Sequence, residues 1–525
     1  MVEHERSAWK STTVVFLFVF LLLLVFQSNR VTLTQDEGLT LDPAQRMAAG
    51  ERVYVDFFAA LSPGSYWLQE LMFRLFGLSL WAGRLMVMLD FSVQCALLFW
   101  LTARLASSKV AVTVLLLFAG FQISSASFLT AAHRWDSGTL ALAGLCLAVH
   151  CAQREVTRGT PWIWAASGML LAAAAWCTPS VGLLIAVEGI WLMAAPARRN
   201  AVVPFVSGVM GVTALAVAGL AVLGSLSAFF HQLLWLRENY AGINFMPYGS
   251  INGGYRNFLD GTDGIGGWLV RLVMVACIAL PAILPPVALA AWIAALWRGK
   301  VAMKERPELL LLLLAMGSLI ATAFPRANMV HLAFVATLPY ALAGAALARL
   351  APAKASAALA VVPLMLATIF AANYFIAWHG TSALSSPVGR LRVSNGELAD
   401  FERLFQEVRP GDGLFVYPYM PIHYFLTQGK NPVRFSWLQP GMMPDRDARA
   451  TLAELQARPP EWLLYAPMSP KEYRDIFPYA PNVNWRFEDL ESWLETNYRP
   501  APDPKVTVGG YRLWRRFPAE VQASR

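Results

Sequence analysis

The chain has 525 residues, 57% of them hydrophobic and only 14% charged, with a mean hydropathy of +0.47. These values exclude a soluble globular protein and define a polytopic α-helical membrane protein. The net charge of +8 does not point to nucleic acid, because much of the basic excess lies in short loops between apolar runs.

The first apolar run, Ser11–Asn29, carries no charge and is long enough to cross roughly 30 Å of hydrocarbon. No small-residue cleavage site precedes Arg30, so the run reads as a retained anchor helix. The polar segment 30–83 follows and opens with Thr34-Gln35-Asp36-Glu37-Gly38, which places adjacent carboxylates where the chain leaves the bilayer. Asp42-Pro43 predicts a helix with Asp42 as N-cap, Pro43 in its first turn and Gly50 at its end. Ser62-Pro63 and Gly77 bracket a second helix of largely apolar character, with Glu70 and Arg74 as an i,i+4 pair. Its aromatic residues suit the headgroup level, so the segment is expected to form a floor holding Asp36 and Glu37 at the membrane surface.

Further apolar stretches occupy 84–103, 110–130, 137–152, 161–178, 180–196, 202–223, 270–297, 308–324, 331–348 and 355–377, giving about eleven transmembrane helices in all. Thr178-Pro179-Ser180 breaks the run 161–196 into two, because proline removes a helix donor and biases the residue before it away from helix. Arg6/Lys10, Arg104/Lys109, Arg154/Arg158, Arg198/Arg199, Arg298/Lys300/Lys304/Arg306 and Arg349/Lys354 then fall on one side. By the positive-inside rule that side is cytoplasmic, and 30–83 and the C-terminal region lie outside. Asp90 and Glu188 fall within spans, where carboxylates serve either function or helix packing. The five cysteines all lie in or beside apolar runs and have no metal-site spacing with histidine.

Three external loops carry further polar groups: His133-Arg134-Trp135-Asp136, the aromatic and Gly-rich stretch 225–268 with Tyr240 and Arg256, and Phe324–Leu332 with Arg326 and His331. The stretch 225–268 has the composition of either a lid over a site or an interfacial loop. After Trp378 the composition shifts, and the division expected is 1–379 for the membrane region and 380–525 for a small external α/β domain. Helical patterns at 397–408, 446–457, 470–477 and 487–497 alternate there with strand-like 413–417, 462–465 and 511–516. No phosphate-binding glycine loop follows those strands. Trp437, Trp462, Trp485 and Trp493 are either core residues or sugar-stacking faces.

Asp36-Glu37-Gly38, Ala48-Ala49-Gly50, Tyr54-Val55-Asp56-Phe57, Ser62–Trp67, Phe76-Gly77 and Arg84 together resemble the glycosyltransferase C superfamily. The pattern is most similar to its protein mannosyltransferase-like family 39, which includes the aminoarabinose transferases acting on lipid A. The resemblance covers roughly 1–380, most strongly 34–84. It implies transfer of a sugar from a polyprenyl phosphate donor to a lipid, glycan or protein acceptor at the extracytoplasmic face. It maps the base onto Asp36, with Glu37 beside it, and a second acid onto Asp136. Tyr54, Asp56, Tyr240 and Arg256 are then substrate-loop candidates. The run around Arg326 also resembles the family, with Asn328 where relatives often carry an acid; Thr178 stands where many have lysine before the proline.

The chemistry accords with that mapping. A hydroxyl is a poor nucleophile, so a carboxylate accepting its proton contributes about 10²–10⁴-fold. A phosphate leaving group needs positive charge instead, for which Arg134, Arg326 and His331 are the candidates. A divalent cation held by Asp36, Glu37 and Asp136 is an alternative use of the acids, and no other cofactor is implied. A transporter or lipid-linked sugar flippase is the alternative class, although the sequence has no evident internal repeat and its acids gather at one face. A noncatalytic envelope scaffold would tolerate neutralisation of Asp36. The alanine-rich composition leans toward a bacterial inner membrane.

Overall fold

A computed structural model describes residues 2–124, 129–152, 161–240, 242–251, 254–255, 264–302, 306–351, 356–480, 485–501 and 506–517. Arg256, Arg154, Arg158, Lys304 and Lys354 lie outside the described residues. The membrane half is built of α1 (Val2–Phe26), α2 (Gln35–Ala48), α3 (Pro63–Phe76), α4 (Leu80–Leu105), α5 (Ser108–Ser124), α6 (His133–Ala152), α7 (Pro161–Cys177) and α8 (Gly182–Met193). It continues through α9 (Val202–Val222), α10 (Leu226–Asn239), α11 (Gly264–Trp297), α12 (Pro307–Ala321), α13 (Met329–Phe334), α14 (Thr337–Leu350) and α15 (Ser356–His379).

Every apolar stretch read from the sequence contains a helix. Among the described residues five helical segments are long and apolar enough to cross a membrane: Trp9–Phe26, Leu80–Leu105, His133–Ala152, Pro196–Val222 and Met274–Trp297. Shorter apolar helices accompany them at Ser108–Ile123, Pro161–Cys177, Pro179–Met193 and Pro307–Ala321. Leu17, Phe18, Leu21 and Val25 of α1 and Val203, Met210 and Leu215 of α9 face outward, as a lipid solvent allows. The stretch 331–348 is not one helix: Asn328 caps α13 through its side chain, and the chain breaks at 335–336 before α14 begins.

Helix α2 starts earlier than Asp42-Pro43 predicts. Thr34 is its N-cap, the Thr34 hydroxyl accepting from the Glu37 N–H, and Asp36 and Glu37 fill the first turn. Asp42 and Pro43 therefore sit inside the helix; Asp42 is buried and accepts from Gln45 Nε2 at 3.2 Å. α3 follows its sequence signals, with Ser62 as N-cap, Pro63 in the first turn, Gly77 at φ 79 after its last turn, and an Arg74–Glu70 ion pair of 2.6 Å.

The C-terminal half begins with a hairpin of β1 (Thr381–Ser386) and β2 (Gly389–Ser394), which was not foreseen. It pins the end of α1 through Val31 N donating to the Arg392 carbonyl at 2.8 Å, and the start of α4 through Leu80 N donating to Val388. The remaining elements are α16 (Leu398–Glu407), β3 (Leu414–Tyr417), α17 (Ile422–Thr427), α18 (Asp445–Ala457), β4 (Trp462–Tyr465), α19 (Pro470–Ile476), α20 (Glu488–Asn497), β5 (Tyr498–Pro500), β6 (Thr507–Val508) and β7 (Tyr511–Arg516). The sheet runs β3-β4-β7-β5, with β3 and β4 parallel, β7 antiparallel to β4 and β5, and β6 paired to β7.

This half shares a core with α2 to α4. Leu41, Ala44, Phe73 and Leu80 cluster with Leu391, Phe401, Phe425 and Leu426, and Phe73 stacks on Phe425 with ring centroids 5.5 Å apart. α17 lies on α2 so closely that a Cβ at Gly38 would stand 2.2 Å from the Ile422 amide nitrogen. Helix α2, and with it Asp36, is thus wedged between the membrane bundle and the C-terminal half.

Candidate active site

The two adjacent acids at the start of α2 have opposite surroundings. Glu37 is buried and forms a two-pronged ion pair with Arg84 of α4: Nε donates to Oε1 at 2.7 Å and Nη2 to Oε2 at 2.8 Å. Arg84 Nη1 also donates to the carbonyls of Gln27, at 2.9 Å, and Arg30. Neither group touches solvent, and both carboxylate oxygens of Glu37 are taken by the guanidinium. The sequence reading of Glu37 as a reacting group is corrected here: it ties α2 to α4 and to the end of α1.

Asp36 points the other way. Its surface is exposed, yet protein surrounds it deeply enough that burial raises its pKa above the ordinary carboxylate value, against the lowering effects of Arg134 and Arg326. Asp36 is thus both accessible and surrounded by protein, as a group lining a cleft is. Among the described residues no side chain forms a hydrogen bond or ion pair with the Asp36 carboxylate. Arg134 and Arg326, from separate parts of the chain, lie within electrostatic reach of this carboxylate.

Tyr240, just after α10, is within electrostatic reach of Asp36, Arg134 and Arg326. Arg326 itself is largely buried; Nη1 donates to Asn244 Oδ1 at 3.2 Å and Nη2 to the Ile476 carbonyl at 2.9 Å. His331 lies close enough to feel Arg134, Arg326 and His133. Asn328 Oδ1 accepts from the His331 amide at 3.2 Å and is 2.7 Å from His331 Nδ1. An oxygen accepting the amide also takes the Nδ1 proton, so a neutral His331 carries its lone pair on Nε2.

Asp136 does not join Asp36. It lies on α6 against Asp90 of α4 and Ser65 of α3 within the bundle. Thr178 packs beside it, its hydroxyl donating to Ser137 at 2.9 Å. The proposed gathering of Asp36, Glu37 and Asp136 around one cation is corrected accordingly: one oxygen pair faces the cleft, one faces Arg84 and one faces Asp90. No cluster of three or more His, Cys, Asp or Glu side chains with metal-site geometry occurs among the described residues.

Two substrate-loop candidates also stand elsewhere. Tyr54 is buried at φ 68 with its hydroxyl on the Leu61 carbonyl at 2.7 Å, in a core with Phe57, Tyr66 and Phe229. Asp56 is engaged by Arg52 at 2.9 Å on the surface. Arg256 lies outside the described residues. Trp437 and Trp462 are buried, and Trp485 and Trp493 are partly buried against the C-terminal core. Asn244, Ile476, Phe477 and His133 border the cleft without having been singled out. Only His133, next to Arg134 at the start of α6, had a sequence signal.

The architecture has known counterparts. The structure of ArnT from Cupriavidus metallidurans bound to undecaprenyl phosphate superposes with a TM-score of 0.53 at 13% identity, covering 97% of this chain and 98% of that chain. The archaeal oligosaccharyltransferase AglB from Archaeoglobus fulgidus, in complex with an inhibitory peptide and a dolichol-phosphate, gives 0.50 at 11% identity over 94% of this chain and 73% of that chain. No family model and no curated protein matches the sequence. The chain is an integral membrane protein with the glycosyltransferase C fold, and the resemblance read from residues 34–84 holds at the level of fold.

Proposed function

We propose that this protein is a glycosyltransferase that takes a sugar from a polyprenyl phosphate carrier and passes it to an acceptor hydroxyl or amine outside the cytoplasm. The carrying observation is that Arg134, Arg326 and Tyr240, from three segments far from α2 in sequence, each lie within electrostatic reach of Asp36. Both structural counterparts contain a polyprenyl phosphate, which supports a lipid-linked donor for this fold.

In this reading the acceptor oxygen or nitrogen attacks the anomeric carbon opposite the phosphate, and the bond from that carbon to the phosphate oxygen breaks. Configuration inverts, Asp36 takes the acceptor proton, and the electron pair leaves with the phosphate. Arg134 and Arg326 face the charge that grows on its oxygens, where preorganised donors contribute most. Eleven membrane crossings, with the cleft and the C-terminal half on the periplasmic side of a bacterial inner membrane, complete the proposal. The basic loops support that orientation.

The test is sugar transfer from radiolabelled polyprenyl phosphate donors in membranes carrying wild type, Asp36→Asn or the control Glu188→Gln. Glu188 is buried within the bundle and accepts from Ser167 at 2.8 Å, away from the cleft. Label reaching a lipid, glycan or protein fraction with wild type and Glu188→Gln, but not with folded Asp36→Asn, is expected. Undiminished transfer by Asp36→Asn would remove it as base. Absence of transfer by folded wild type would reject the enzyme.

A further inference from the structure

The C-terminal half touches the site at one side chain in particular. Arg326 reaches it directly through Nη2, which donates to the carbonyl of Ile476, while Nη1 donates to Asn244, which lies outside that half. Asn244 Nδ2 in turn is 3.2 Å from the Tyr240 carbonyl and 3.6 Å from Met442 Sδ, on the loop before α18. The Arg326 guanidinium carbon lies 5.6 Å from the centroid of the Phe477 ring. Ile476 is the last residue of α19, where carbonyls have no partner within the helix and carry the negative end of its dipole.

The helix that presents this carbonyl is itself held firmly. Ser469 caps α19 by accepting from Glu472 N at 3.1 Å, and Pro470 occupies its first turn. Tyr473 and Phe477 are buried in the C-terminal core with rings 5.4 Å apart. On the other side the backbone at Arg326 is stitched to the segment after α10: Met246 N donates to Pro325 at 2.9 Å and Ala327 N to Met246 at 3.2 Å. The guanidinium is thus held by the Asn244 side chain, the Ile476 carbonyl and the Phe477 ring.

We propose that α19 and Phe477 are positioning elements for the donor-phosphate arginine, so that the C-terminal half completes the active site instead of merely covering it. The proposal rests on the reading of Arg326 as a phosphate contact. Its physical content is preorganisation. An arginine free to rotate would turn toward bulk solvent, and its field on the leaving phosphate would fall. Held against the Ile476 carbonyl and the Phe477 face, it meets the phosphate without reorganising. Phe477 acts only through Arg326 and touches no reacting atom.

The test uses the full-length protein in nanodiscs, with Phe477→Ala, Phe477→Tyr and each combined with Arg326→Ala. Phe477→Ala is expected to lower transfer about tenfold, the scale of one well-placed cation–π contact, and Phe477→Tyr to restore it. In the Arg326→Ala background neither change should have a further effect, whereas multiplicative losses would overturn the proposal. A second measurement needs no activity: phenylglyoxal labelling of Arg326 in the ligand-free protein, read by peptide mass spectrometry. Labelling should quicken in Phe477→Ala and return to the wild-type rate in Phe477→Tyr; equal rates in all three would refute the positioning role. If folded wild type transfers no sugar, the glycosyltransferase reading fails, and the labelling rates decide the positioning by themselves.

Discussion

The first turn of α2 has two faces, and consecutive residues divide between them. A helix rotates about 100° per residue, so Asp36 and Glu37 cannot face the same surroundings. Glu37 enters a closed pocket in which a guanidinium takes both its oxygens, while Asp36 is accessible, lies within electrostatic reach of two arginines and has no bonded side-chain partner among the described residues. The difference teaches how to tell a structural acid from a chemical one. The structural acid has its charge fully compensated; the chemical acid sits where burial works against its charge and substrate can reach it.

Substitutions at the two positions should therefore behave as opposites. Asp36→Asn is expected to reduce transfer by about 10²–10⁴-fold without loss of stability. The sign follows from its raised pKa. Between the ordinary carboxylate value and the raised one the folded state binds more protons than the unfolded, so stability falls as pH rises through that window. Above it the ionised carboxylate is a burden that asparagine removes, and thermal unfolding in detergent at neutral pH should show an unchanged or higher Tm. A marked drop in Tm would erase the distinction between the faces.

Glu37→Gln should do the reverse. Leaving Arg84 buried with half its partner gone costs about 3–5 kcal/mol, visible as lost Tm and poor yield of folded protein. A Glu37→Gln protein of wild-type stability but without transfer would return Glu37 to the chemistry. Gly38→Ala tests the packing behind both acids, because the new methyl would meet the Ile422 backbone at 2.2 Å and must push α17 from α2. Overpacking of that kind costs about 1–3 kcal/mol, and transfer should fall together with Tm.

The smallest effect sharpens the comparison further. The acid limb of the pH profile for transfer should lie above the ordinary carboxylate range. Arg326 lowers the pKa of Asp36, so Arg326→Gln should move that limb to still higher pH. A limb unmoved by this change would mean that Asp36 does not set it.

Much of this arrangement was legible along the chain. The apolar runs, the break at Thr178-Pro179, the caps of α3, and all four helices and three strands expected after residue 396 correspond to elements in the structure. Each depends on a local signal: an uninterrupted apolar stretch, a proline, an N-cap or an alternation. The first turn of α2 was less legible. Thr34-Gln35-Asp36-Glu37 has the letters of a capping box, yet only the threonine half forms, because Arg84, 47 residues on, claims the glutamate. α17 left no such signal because it is only six residues long and all of them, His423 and Thr427 included, are buried.

The amino-acid sequence by itself determined that this chain enters a membrane repeatedly, that a polar segment with paired acids follows the first apolar run, and that Arg134 and Arg326 stand at the ends of apolar runs. Hydropathy, charge bias and capping are properties of neighbours along the chain, so they can be read without a fold. Only the tertiary structure decided which acid is free, that Asp136 lies against Asp90 and not beside Asp36, and that Ile476 holds an arginine 150 residues away. Those outcomes depend on which side chains the packed helices bring within hydrogen-bond reach, and that is set by the three-dimensional contacts of α2, α4, α6 and α19 together.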